Sequence, residues 1–339
     1  MKSLTWLTVT LIIIGIGFSN NASAVAYCAL RDPVAAIHEL FPGSTSFKSI
    51  VGNVGPEIRR VLRDELPFDF HFNEFGRHTL YTIYDRGTPI GLAHARSELG
   101  SWGLDEFVWR LDLDLRIRGL YIQRTRDPVA GFLNTEEFRR QLTGLGLPEL
   151  VALLRPDGDL KAGVLSVEEP ALRLAHSAIQ SAIKTIIVTR EAWTQDLEQI
   201  RALAIARQNL PDAETVTRID GLYTPAVLDV LRQTYQISDP GLDREGAVAY
   251  EIIDAAGEEI GIFFKAAIQL RPEPSEFRWV IGTDGIARSV EGIGESGNDE
   301  LVELFGDIHR SKEELIGCAT PGEMAMLEIL IVADEQMGR

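Results

Sequence analysis

PGSTSFKSIVGNVGPEIRRVLR, residues 42–63, and PDAETVTRIDGLYTPAVLDVLR, residues 211–232, are two versions of one pattern. They align without a gap at an offset of 169. Identities fall at Pro42/Pro211, Ile50/Ile219, Gly52/Gly221, Pro56/Pro225, Val61/Val230, Leu62/Leu231 and Arg63/Arg232. The register continues downstream, where Tyr81, Ile83 and Asp85 of YTIYD meet Tyr250, Ile252 and Asp254 of YEIID. One inserted residue later Ile90-Gly91 meets Ile260-Gly261, and EFVWRLDLD (106–114) meets EFRWVIGTD (276–284). Chance does not keep one register over four blocks, so the chain reads as two copies of one module, residues 25–195 and 196–339.

Each copy predicts the same order of elements. Pro56 and Pro225 suit the first turn of a helix, where a missing N–H costs nothing. Segments 81–84 and 90–96 flank Asp85-Arg86-Gly87-Thr88-Pro89, and segments 250–253 and 260–264 flank Asp254-Ala255-Ala256-Gly257-Glu258, so each pair reads as a hairpin. In the next strands the period of two places Phe107, Trp109 and Leu111 on one face, and Phe277, Trp279 and Ile281 on its counterpart. Those faces are read as core, because large aromatics dominate burial. Asp284-Gly285 is a strong turn signal, whereas Asp114-Leu115 at the same place in the first copy is a poorer one. Helical periodicity over 167–188, 194–209, 299–305 and 321–335 supplies the closing helices. The expected fold is α+β, two antiparallel-sheet modules with helices packed on them.

Residues 1–24 carry one charge, Lys2, then an apolar run over 11–18, and end in Ala22-Ser23-Ala24. That is the pattern of a secretory signal peptide, so the mature chain is expected to start near Val25 and to work in the periplasm or otherwise outside the cytoplasm. Tyr27 before Cys28 argues against a lipid-modified cysteine. Past the leader there is no apolar run of about 18 residues, so no membrane insertion is expected after its removal. Acidic side chains outnumber basic ones 50 to 33, a formal charge of -17, which disfavours nucleic acid and anionic lipid as partners. Two cysteines, Cys28 and Cys318, cannot build a zinc, iron–sulfur or haem site; whether they pair as a disulfide is left open.

The order helix, YxIxDxxGxxIG hairpin, strand ending in Asp-Gly, strand and closing helix resembles the periplasmic FMN-binding domain. That domain occurs in flavin subunits of Rnf and sodium-translocating NADH:quinone reductase complexes and in NosR-type regulators. Residues 103–122 and 275–290 are similar to its two central strands. Gly100-Ser101-Trp102-Gly103 is the nearest match to the family's aromatic turn, replaced in the second copy by Arg271-Pro272-Glu273-Pro274. Gly317-Cys318-Ala319-Thr320 resembles the motif whose threonine takes FMN through a phosphoester bond, with Glu314 where Asp is expected. Aligning the closing helices puts His176 opposite Thr320, so the first copy is a degenerate one.

The resemblance implies an extracytoplasmic electron-transfer flavoprotein. FMN would be attached at Thr320 among Gly317, Cys318, Ala319 and Gly322, with Trp102 or Trp279 beside the flavin ring and a membrane redox complex or another periplasmic protein as partner. The flavin would then carry the redox chemistry. Read from its residues alone, Thr320-Pro321-Gly322-Glu323 is equally a capping box, in which the threonine caps its helix and Glu323 reaches back. The second reading is therefore a cofactor-free periplasmic binding or scaffolding module.

Other constellations are weaker. GIGESG (292–297) fits a dinucleotide pattern in form but follows an antiparallel strand. His71, His78 and His94 lie close in sequence, and a hairpin centred on Gly87 brings His78 and His94 within one or two pairs. A metal would also need Glu74 or Glu98, and no recognised ligand spacing is present, so no metal site is assigned. Hydrolase and kinase motifs are missing.

Overall fold

The computed structural model describes residues 32–71, 74–234, 236–237, 247–268, 275–293 and 321–338. The first module runs α1 (Val34–Leu40), β1 (Ser46–Val54), α2 (Pro56–Glu65), β2 (Gly76–Asp85), β3 (Thr88–Gly100), β4 (Gly103–Leu111) and β5 (Ile117–Arg124). The short helices α3 (Ala130–Leu133), α4 (Glu136–Leu142) and α5 (Leu147–Ala152) follow, then the long α6 (Leu172–Ala192). The second runs α7 (Thr194–Asn209), β6 (Ala213–Arg218), α8 (Pro225–Asp229, extended by a wider turn over Val230–Thr234), β7 (Val248–Asp254), β8 (Glu259–Ile268), β9 (Ser275–Gly282), β10 (Ala287–Ile293) and α9 (Pro321–Met337).

Each module forms a five-stranded antiparallel meander, in the orders β1-β2-β3-β4-β5 and β10-β9-β8-β7-β6. The expected α+β pair of antiparallel-sheet modules is the fold observed. At the offset of 169, α1 falls on the last turns of α7 and α2 on Pro225–Thr234. The expected boundary after residue 195 lies in the first turn of α7.

Each sheet is covered on both faces. In the first module, Leu80, Leu92, Phe107, Trp109 and Leu120 pack under α2 and α6, while Ile83, Ala93, Ala95 and Val108 pack against α1. In the second, Phe264, Phe277, Trp279 and Ile281 pack under α8 and α9, and Val216, Tyr250 and Phe263 pack against Ala202 and Ala206 of α7. Trp109 and Trp279 are therefore the core residues that strand alternation indicated. Helix α7 also touches β3. Arg201 Nε donates to the Leu113 carbonyl (2.6 Å) and Arg207 Nη2 to the Arg86 carbonyl (3.3 Å), tying the modules together.

Positions matched across the repeat hold their backbone for different reasons. Gly52 is required by close approach, since a Cβ there would lie 2.6 Å from the buried Trp193 ring, whereas its counterpart Gly221 has φ 71°. The β4–β5 turn forms although it lacks glycine: Leu115 takes φ 61° where Gly285 takes 74°. Left-handed backbone costs a leucine about 1–2 kcal/mol. Burial of the Leu115 side chain in the first core offsets it, a contribution of about 2 kcal/mol. Asp112 Oδ1 helps by accepting from the amides of Asp114 and Arg116.

Candidate functional site

Helix α6 is buried on nearly every side, and its run Thr185-Ile186-Ile187-Val188-Thr189 is β-branched, so packing rather than propensity makes it helical. Down the face turned to the sheet runs a polar stripe at helical spacing: Ser177, Ser181, Lys184, Thr185 and Thr189. Its hydrogen bonds and ion pairs among the described residues land on β3, β4 or the segment before β2. Ser177 Oγ donates to the Leu99 carbonyl (3.2 Å), Ser181 Oγ accepts from Trp109 Nε1 (3.0 Å), and Thr189 Oγ1 lies 3.2 Å from His94 Nδ1.

At the centre Lys184 Nζ lies 3.0 Å from Glu74 Oε2 and 2.9 Å from both oxygens of Glu98. Arg96 Nη2 donates to Glu74 Oε1 (2.5 Å), and the His71 amide to Glu74 Oε2 (2.5 Å). Two carboxylates and two cations thus balance within the core, all four less than 5 % exposed. Arg96 also lies over the Phe70 ring (5.4 Å), and its Nε and Nη1 have no hydrogen-bond partner among the described residues.

The network sets the ionisation of its members. Burial works against the charge of Glu74, but Arg96 and Lys184 overcome it and hold the carboxyl below its usual range. Burial pushes Glu98 up, with Lys184 opposing. Burial and then Arg96 push His78 down to about 4, and the same two causes hold His94 well below the usual histidine range.

Buried ions cost several kcal/mol each unless well paired, and apolar replacements serve as well or better for stability. The second module makes the comparison internally: Phe264 stands at the place of His94, Ala266 at Arg96, Ile268 at Glu98 and Glu328 at Lys184. The Arg96–Glu98–Lys184 arrangement is therefore not repeated at the matching positions of the second module. A smaller asymmetry follows the same line. Ala325 replaces Ser181, and the buried Trp279 Nε1, unlike that of Trp109, is without a hydrogen-bond partner among the described residues.

His78 and His94 do meet, their rings edge to face at 5.7 Å, with His94 also against Trp193 at 5.4 Å. Glu74 and Glu98 are close by, but they are engaged by cations. Among the described residues no group of three or more His, Cys, Asp or Glu side chains is placed to hold a metal ion. The His94–Thr189 pair has the reach of a base and a nucleophile, yet both are wholly buried, so no substrate can approach them.

Of the residues singled out for flavin, the two tryptophans lie in different modules. Trp279 is fully enclosed, with Phe277 stacked at 5.7 Å and Phe264 against it edge to face at 6.3 Å, and its ring has no face open to a ligand. Trp102, 59 % exposed, sits with Ser101 in the two-residue turn of the β3–β4 hairpin, in the other module. Gly317, Cys318, Ala319 and Thr320 lie outside the described residues, as do Cys28, the leader and most of GIGESG; Gly322 is in the first turn of α9. His176, opposite Thr320 in the repeat, is bonded to the Gly158 carbonyl (2.8 Å).

An open groove of about 350 Å³ lies where the β4–β5 turn, the start of α5, the end of α6 and the first turns of α7 meet. Its floor is apolar, from the buried Leu115, Ile186 and Leu197. Three arginines line it. Arg116 is bonded to the Gly144 carbonyl and Glu149, and Arg190 to Glu65 and Glu191. Arg201 uses Nε on the Leu113 carbonyl and has no carboxylate partner among the described residues. Burial holds the Arg201 guanidinium below its ordinary range, with nearby Asp114 opposing. No turn or motif in the sequence signalled this groove, because its residues come from four elements between 114 and 201.

No helix among the described residues is long and apolar enough to cross a membrane. No protein-family model matches the chain, and comparison with curated proteins gives no match.

Proposed function

We propose that this protein is an extracytoplasmic, cofactor-free ligand-binding module, a duplicated fold in which catalysis plays no part. The observation that carries the reading is the division between what is sealed and what is open. The ionisable cluster of the first module is paired and buried beneath α6, whereas the groove between α6 and α7 offers solvent an apolar floor and an arginine, Arg201, with no carboxylate partner among the described residues. Small-molecule sites have this composition, an apolar surface with a few placed polar groups. The extracytoplasmic setting rests on the leader pattern of residues 1–24.

The flavoprotein reading keeps one support. Helix α9 begins at Pro321, directly after Thr320 in the chain, and a helix start favours a phosphate. Against it stand the closure of Trp279 and the distribution of the expected aromatic and threonine over different modules. Export of the chain in a host that also supplies a flavin transferase separates the two. Colourless protein with no added FMN mass supports the binding module; a flavin adduct lost in Thr320→Ala supports the flavoprotein and overturns the proposal.

A further inference from the structure

We propose that the groove between α6 and α7 binds a small monocarboxylate with a compact apolar body, its carboxylate held by Arg201. The inference rests on the ligand-binding reading and adds the ligand class.

Four features point to that chemistry. The cavity, about 350 Å³, is within the range of sites for small organic molecules and too confined for a macromolecular segment of any size. Its floor of Leu115, Ile186 and Leu197 asks for an apolar body rather than a sugar. Of the three arginines in the lining, Arg116 and Arg190 are occupied by carboxylates of this chain, which leaves Arg201. Its Nε is fixed on the Leu113 carbonyl at 2.6 Å, so the guanidinium is oriented, and its terminal nitrogens carry the two parallel donors that a carboxylate accepts.

The fourth feature is the turn that presents these parts. Leu115 holds a left-handed backbone, φ 61°, at a place where the second module uses glycine. This strained residue puts its side chain into the floor while its neighbour Leu113 supplies the carbonyl that orients Arg201. Backbone strain of this kind concentrates at ligand sites.

Charge selects the monoanion. Asp114, Glu149 and Glu198 line the same groove, and the chain carries a net charge of -17. One Arg201 can hold a carboxylate in that field, whereas a phosphate, with more charge than one guanidinium cancels, is repelled.

The test is calorimetric titration of the mature chain with hexanoate and phenylacetate, alongside hexanol and inorganic phosphate. Binding of one or both carboxylates, and not of hexanol or phosphate, is expected. Arg201→Gln is expected to weaken it by about tenfold or more, and Arg201→Lys, which keeps the charge but loses the fork, to weaken it less. Because Arg201 also ties α7 to the β4–β5 turn, Asp114→Asn provides a second arm on an exposed residue that leaves the packing alone. Removing this carboxylate near Arg201 is expected to tighten carboxylate binding by a few fold. Phosphate binding as tight as hexanoate, or carboxylate binding indifferent to both Arg201→Gln and Asp114→Asn, would overturn the assignment. Hexanol binding without carboxylate binding would overturn it too, while leaving the ligand-binding role intact; a flavin adduct would remove that role without bearing on this assay.

Discussion

Lys184→Met is the substitution that interrogates the first module most sharply. The ammonium it removes lies between two carboxylates at 2.9–3.0 Å. Glu74 keeps Arg96 and the His71 amide, but Glu98 loses the ion-pair partner it has among the described residues, in a site that is 4 % exposed. Breaking a buried pair from one side costs about 3–5 kcal/mol, because the surviving charge is neither solvated nor neutralised. Methionine fills most of the lysine stem, so little of the loss comes from a cavity. The cost is pH-dependent: burial already raises Glu98, and without Lys184 it takes up a proton more readily, so the penalty at pH 7 shrinks by pH 5. Urea unfolding followed through tryptophan fluorescence reads this, with Trp109 and Trp193 reporting on the first core. Adding Glu98→Gln removes the stranded charge, and the double variant is expected to be more stable than Lys184→Met alone by on the order of 2 kcal/mol. A Lys184→Met loss below about 1 kcal/mol at pH 7, or an equal loss at both pH values, would refute the reasoning.

Two further predictions come from the same layer. Ala325→Ser supplies the second module with the hydroxyl that Ser181 gives Trp109, and pairing the buried Trp279 Nε1 is expected to stabilise the protein by about 1 kcal/mol in thermal or urea unfolding. His78 is held at about 4 against an ordinary value of 6.5, so between those limits the unfolded chain binds more protons than the folded one. Stability is therefore expected to fall as the pH drops from about 6.5 to about 4, by up to about 3 kcal/mol from this residue. His94 acts in the same sense. Glu98 acts in the opposite sense, since a raised carboxyl gains stability as it protonates, and Glu74 adds its loss only below the ordinary carboxylate range. His78→Gln, measured by urea midpoints across that window, is expected to flatten the slope; an unchanged slope would count against the assignment.

Sequence periodicity and the internal register carried most of the fold. Prolines 56 and 225, the turn at Gly87 and the alternation around Trp109 and Trp279 are local signals, and local signals are what a single sequence preserves. Helices α3 to α5 escaped, being only 4–7 residues long and too short for a periodic pattern. The buried network was half legible. His78, His94, Glu74 and Glu98 were grouped through the hairpin, which fixes their spacing. Their actual partners were not, because Lys184 arrives from a helix 86 residues beyond Glu98. The signal that could have found it is the polar stripe Ser177, Ser181, Lys184 and Thr189 in an otherwise apolar helix. Which strand it faces depends on packing, which the stripe does not encode. The Arg201 groove had no local trace at all.

Intact mass and visible absorbance of the exported chain, made with a flavin transferase present, test the cofactor-free reading most directly. The expected result is a colourless protein whose mass is that of the polypeptide alone. A yellow protein carrying one FMN, with the adduct lost in Thr320→Ala, would contradict it.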